Sequence, residues 1–167
     1  MLRLSGALLI LLASLLFGLS SVLRLRERVC LLGALKLFVM NVRRELSVAM
    51  PELRELFSMN ENERTKPITD MIASAISSGE MPHTAVENAF SSQYAKRLLK
   101  PDEREYLAKT LSTLGSGDLQ SAEETLGYLQ AQLELYTESA AEEERKNSKV
   151  SLAVSAYVGL AAMILMM

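Results

Sequence analysis

The chain contains one histidine and one cysteine, which leaves few ways to assemble catalytic chemistry. His83 follows Pro82 in the first turn of an expected helix. A general base needs a nucleophile within hydrogen-bond reach and an acid to orient it. No local pattern around His83 supplies either, so it reads as a surface or capping residue. Glu80-Met81-Pro82-His83 spells Glu-x-x-His once. A di-iron bundle needs that motif on two helices, and Pro82 sets Glu80 ahead of the helix. A single Cys and a single His cannot form a Cys/His zinc site or an internal disulfide within one chain. Cys30, in Val29-Cys30-Leu31-Leu32, is expected to behave as a buried small hydrophobe. Met163, Met166 and Met167 lack a partner set for copper. Gly115-Ser116-Gly117 is not followed by the Lys-Ser/Thr of a phosphate loop. These residues predict a protein that is not an enzyme and that uses no cofactor and no metal.

Charged surface offers more than catalysis does. Lys96, Arg97 and Lys100 cluster beside Asp102 and Glu103 at one expected helix boundary. With Asp118, these three cations are the candidate interaction residues for a protein partner; a plain solvated surface is the competing reading. Nucleic acid is not an expected partner. Net charge is -2, Trp is absent and aromatic residues are 5% of the chain, so neither a basic footprint nor stacking platforms are at hand.

The elements that hold these residues follow from how charge is distributed along the 167 residues. All 20 acidic residues lie between Glu27 and Glu144, and only Arg3 of the 18 basic residues lies outside Arg24–Lys149. Leu4–Leu23 and Val150–Met167 are uncharged. A spanning helix needs about 20 such residues, so residues 1–24 and 150–167 are expected to be transmembrane helices flanking a cytoplasmic helical domain, 25–149. Arg24, Arg26 and Arg28 close the first run, and Arg145, Lys146 and Lys149 open the second. The positive-inside rule places the middle in the cytoplasm at both ends independently. Two competing readings stand beside this one. The first run is also compatible with a cleaved leader, Gly18-Leu19-Ser20 having the small-x-small form of a cleavage site, and the second with a buried core helix.

The middle is expected to be all-α, with about six helices. Val29, Leu32, Leu35, Val39, Val42 and Leu46 share one face of a helix over roughly 26–49. Pro51–Met59 is a short helix, and Asn60–Lys66 a polar loop. Helices over Pro67–Ser77 and from Pro82 follow, with Gly79 as a stop between them. Pro101 starts the next helix, with Asp102, Glu103 and Glu105 at its positive dipole end and Tyr106, Leu107, Leu111 and Leu114 along its apolar stripe. Gly115-Ser116-Gly117 is a break. Asp118 is a candidate N-cap of the last helix, and Ser121-x-x-Glu124 offers a capping box in a competing register. That helix is expected to run unbroken into the C-terminal apolar run. Its Ala122, Leu126, Leu129, Leu133, Tyr136 and Ala140 step as heptads, and read either as bundle packing or as a coiled-coil seam. Gly33 and Gly127 sit inside helical patterns.

This layout resembles the stage III sporulation protein AB family of endospore-forming bacteria along almost the whole chain. The carrying features are the apolar start closed by Arg26-Glu27-Arg28, the Leu-periodic helix with Glu45 near its end, and Met50-Pro51-Glu52-Leu53. Further on, Glu105-Tyr106-Leu107 leads to Leu114-Gly115-Ser116-Gly117-Asp118, and the charged helix Glu142–Lys149 enters Tyr157-Val158-Gly159-Leu160. The chain departs from the family's pattern in having Val29 after Arg28, Glu52 between Pro51 and Leu53, and Ala122 where the family tends to have Gln. The resemblance implies a multi-pass protein of the mother-cell membrane around the forespore, within a secretion-like channel complex. It also implies a cytoplasmic domain similar to the platform protein of type II secretion and type IV pilus systems, docking a secretion-type ATPase and other membrane subunits.

Three functions therefore compete at the level of sequence. The first is a non-enzymatic membrane platform. The second is a structural membrane-anchored bundle that forms homo-oligomers through the Ala122–Ala140 seam. The third, a small membrane enzyme, is disfavoured because the two apolar runs hold no ionisable residue but Tyr157.

Overall fold

The computed structural model describes the backbone of residues 2–49, 52–114 and 119–166; within these stretches, the side chains of residues 2–11, 15, 48, 49, 119, 152, 159, 162, 163, 165 and 166 fall outside the description. Among the described residues the fold is all-α, with seven helices: α1 (Leu2–Ala49), α2 (Leu53–Ser58), α3 (Lys66–Ser77), α4 (Pro82–Phe90), α5 (Gln93–Leu98), α6 (Pro101–Ser112) and α7 (Leu119–Met166). The chain divides into two units, residues 1–29 with 139–167, and residues 30–138.

Helix boundaries follow local chemistry. Pro82 and Pro101 open α4 and α6 at positions where their missing N–H has no intrahelical partner to lose. The Glu103 carboxylate accepts the Lys100 backbone N–H at 2.8 Å, which satisfies a free donor at the start of α6 and places negative charge at the dipole's positive end. α3 ends in a Schellman motif. Gly79 N–H donates to the Ile76 carbonyl and Glu80 N–H to the Ala75 carbonyl, both at 3.0 Å, with Gly79 at φ +91°. Only glycine adopts that left-handed conformation without a Cβ penalty.

Two elements differ from expectation. α1 runs through the boundary placed near Arg24, because no Pro or Gly between Leu23 and Arg26 interrupts its backbone ladder. α5 was not anticipated. Ser92 caps it, its hydroxyl accepting the Ala95 N–H at 3.3 Å, and it buries Ala95 and Leu98. α7 is continuous, as expected. It begins at Leu119, which puts Ser121 and Glu124 inside the helix rather than at its N-terminal boundary. The expected break at Gly115–Gly117 and the capping role of Asp118 lie outside the described residues.

In the 30–138 unit, α2 packs on α3, α3 on α4, and α4 on α6. Leu32, Leu35 and Val39 of α1, Ile72 of α3, Val86 of α4 and Leu107 of α6 are almost completely buried. Each such side chain contributes about 1.5–3 kcal/mol of transfer free energy. The face of α1 is wider than its stripe predicts, since Leu31, Ala34 and Phe38 are buried too, and Phe38 stacks on Phe57 of α2 at 5.6 Å. Tyr106 meets Tyr136 edge-on at 6.1 Å. Lys36 pairs with Glu134 at 2.5 Å, and Gly127 lies against the Arg43 guanidinium, so α1 and α7 run antiparallel here.

In the other unit the packing is inverted. Ser14 Oγ–H donates to the Ser155 carbonyl at 2.5 Å. Gly18 is buried so closely against Ser155 that an added Cβ would overlap the serine hydroxyl. Leu12, Leu16, Phe17, Leu19, Leu23, Val154, Tyr157, Val158 and Ile164 face outward, Phe17 and Tyr157 at about three-quarters exposure (75% and 74%). Arg28, 7% exposed, pairs with Glu143 at 2.5 Å. Both apolar runs are described only in part, and among the described residues no helix is long and apolar enough to cross a membrane.

Candidate interaction surface

His83 is exposed in the first turn of α4, Cys30 is half-buried in α1, and among the described residues no three His, Cys, Asp or Glu side chains gather as a metal site.

Of the predicted interaction residues, Lys96 and Arg97 are exposed in the last turn of α5, and Lys100 is the exposed residue before α6. They share one corner with exposed Asp102, while Glu103 is buried at the α6 cap. Asp118 lies outside the described residues. Arg24, Arg26, Arg145, Lys146 and Lys149 are exposed, and Lys146 lies 3.7 Å from Glu142. Arg28 is the exception among the flanking cations. Its buried pairing also takes Glu143 out of a stretch that reads as solvated.

The heptad seam is closed. Leu126, Leu129 and Leu133 have no exposed surface, and Leu126 meets Val39, Val42, Leu56, Phe57 and Leu111 around a point with no room for water. The bundle-packing reading holds for these residues, and they offer nothing to a second copy unless the unit opens.

A groove that the periodicity did not foretell lies between α1 and the turn joining α2 to α3. Its floor is Ala34, Phe38, Val42 and Leu56, its apolar lips are Leu37 and Met59, and its rim is Asn41, Glu45, Asn60, Glu61 and Asn62, enclosing about 240 Å³. One wall is fixed by Asn60, which is 9% exposed within an otherwise polar loop. Its amide donates to Thr65 Oγ1 at 2.6 Å and to Thr69 Oγ1 at 2.9 Å, and its carbonyl accepts the Asn62 N–H at 3.2 Å. Tyr94 ties the same turn to the start of α5, its hydroxyl donating to the Arg64 carbonyl at 2.7 Å. The available signal was Leu37, an apolar residue set beside the apolar stripe. A second hollow, of about 540 Å³, lies between α4 and α6, lined by Glu87, Arg104, Glu105 and Lys109 with Ser91 and Ser112. It carries both signs of charge, and the Arg104 Nε is buried without a hydrogen-bond partner.

The chain belongs to the stage III sporulation protein AB family, whose model matches residues 3–167. No curated protein and no solved structure matches it.

Proposed function

We propose that the protein is a non-enzymatic, membrane-anchored platform of a secretion-like complex acting in sporulation. In this reading its 30–138 unit docks a secretion-type ATPase on the cytoplasmic side of the mother-cell membrane around the forespore. Family membership supports the sporulation role. The observation that carries the anchoring is the inverted packing of the unit formed by residues 1–29 and 139–167. Ser14, Ser155 and the close-packed Gly18 face inward, and the large apolar side chains described in this unit face outward. In water that arrangement exposes a large apolar surface. In lipid it is the expected one, because small residues let helices approach closely and apolar side chains meet acyl chains. The exposed cations Arg24, Arg26, Arg145, Lys146 and Lys149 follow or precede the apolar runs, which supports a cytoplasmic 30–138 unit.

Two experiments test this. Alkaline carbonate extraction of membranes from sporulating cells leaves the full chain in the pellet if it is integral; release into the supernatant defeats the anchoring. Full-length protein in detergent, used as bait in a lysate from sporulating cells, recovers a secretion-type ATPase. Reversal of Lys96, Arg97 and Lys100 to Glu lowers that recovery if the cationic corner is the docking face, and unchanged recovery removes the corner from consideration. The alternative of a self-associating bundle has lost its seam to the core, since Leu129 and Leu133 are already covered.

A further inference from the structure

The groove between α1 and the α2–α3 turn has three properties that together describe its occupant. The first is size. At about 240 Å³ it falls below the roughly 300–1,000 Å³ of small-molecule and cofactor sites, but it has room for one or two large aliphatic side chains. The second is unsatisfied apolar surface. Leu37 and Met59 at the mouth are 56% and 51% exposed, while Phe38, Val42 and Leu56 beneath them are buried. An inserted apolar side chain would therefore meet a finished floor and cover both lips. The third is sign. The lining carries Glu45 and Glu61 and no cation. Arg44 lies 3.6 Å from Glu45, but at 71% side-chain exposure such a pair is worth little and leaves the rim acidic. The wall is pre-formed, because both amide hydrogens and the carbonyl of Asn60 are engaged, so a ligand would not have to order the loop.

We propose that this groove is a docking site for a segment of a partner protein that inserts an apolar side chain between Leu37 and Met59 and presents Lys or Arg to Glu45 and Glu61. An anionic lipid surface is the wrong occupant, since it would face two carboxylates. The inference goes beyond the ATPase reading and stands whichever protein supplies the segment.

The test places the photo-crosslinker p-benzoylphenylalanine at position 37 of the full-length chain in sporulating cells, with the same residue at exposed Leu135 as a control position. Adducts are mapped by mass spectrometry to the residue. The expected result is a protein adduct whose attachment site has Lys or Arg within one helical turn. Its yield should fall at least about tenfold, as like charge placed across an interface predicts, when Glu45→Lys and Glu61→Lys are introduced together. The Leu135 adducts and the melting temperature should not change. Both glutamates lie at the rim, so the double variant is expected to fold. An adduct to lipid, to a second copy of this chain or to a segment without nearby cations would overturn the proposal. So would the absence of any adduct, or a yield indifferent to charge reversal.

Discussion

The two units of this chain solve the packing problem in opposite ways. In residues 30–138, Leu32, Ile72, Val86, Leu107, Leu129 and Leu133 are interior, while exposed Lys96, Arg97 and Lys100 meet solvent. In residues 1–29 with 139–167, Ser14, Gly18 and Ser155 form the contact, and Leu16, Phe17, Val158 and Ile164 lie outside. The same alphabet is used with the sides exchanged. Burial of apolar area drives the first arrangement. It cannot drive the second, where close backbone approach and an interhelical hydrogen bond hold the pair. The difference separates the two units by what holds them together, and it can be broken from either side.

The largest effect is expected in the 30–138 core. Leu129→Ala removes a fully buried side chain, and such truncations cost about 2–5 kcal/mol. The melting temperature of the full chain in detergent should fall by roughly 4–20 °C. If Leu129 were instead an oligomer seam, the loss would scale with protein concentration, and equal melting shifts at two widely separated concentrations would exclude that. In the other unit the matching break is Gly18→Leu. A side chain there meets Ser155, whose Cβ lies 2.9 Å from the position of an added Cβ. The overpacking cost is about 1–3 kcal/mol, and the helices must part. In a Cys30→Ser background, Ser14→Cys paired with Ser155→Cys should form a disulfide readily in membranes, and Gly18→Leu should slow its formation severalfold. A rate unaffected by Gly18→Leu would mean the contact does not hold the pair.

Much of this contrast was legible in the residues, because it rests on periodicity and charge. Pro82 and Pro101 open their helices where expected, Gly79 ends one, and Leu32, Leu35, Val39 and Val42 are buried along the predicted stripe of α1. What periodicity could not show was tertiary. Met71 stands in helical register with the buried Ile68 and Ile72 of α3 yet is 43% exposed, because its neighbours cover only part of that face. Asn60 sits in a run that reads as a polar loop, and its burial depends on Thr65 and Thr69, folded back beside it, and on the Asn62 N–H to satisfy its side-chain amide. α5 is six residues long, shorter than any window in which a helical period can be counted. The candidate interaction surface was half legible. The exposed cations of α5 stand out in the sequence, whereas the groove requires Leu37 and Met59, 22 positions apart, to meet.

Each unit also contains a cross-helix ion pair, and the two differ in environment. The Arg28 side chain is 9% exposed against 32% for Glu143, while Lys36 and Glu134 are 26% and 52% exposed. Removing one partner of a buried pair disturbs a charge in low dielectric, whereas an exposed pair is screened and worth about 0–1 kcal/mol. Glu143→Gln should therefore destabilise by about 1–3 kcal/mol, and Glu134→Gln by no more than about 0.5 kcal/mol. Raising salt from 50 to 500 mM should erase the smaller effect and leave most of the larger one. Equal losses for the two variants would place Arg28 in an environment as wet as that of Lys36.

The smallest expected effect sharpens the comparison within a single helix. Gly18 and Gly33 both interrupt an α1 otherwise free of glycine between Leu19 and Ala49, and both should weaken it, since glycine in a helix interior costs about 0.5–1 kcal/mol relative to alanine. At Gly18 that cost is offset by the approach to Ser155. At Gly33 nothing lies within 4 Å of an added Cβ, so the cost has no visible return in the fold. Gly33→Ala should raise stability by about 0.5–1 kcal/mol, a melting shift of a few degrees upward, while Gly18→Ala should lower it. Opposite signs from one substitution at two sites of one helix would show that close backbone approach requires glycine at position 18 and that nothing in the fold requires it at position 33. If Gly33→Ala is destabilising instead, something outside this chain must approach the helix there, and binding assays on that variant would be the place to look for it.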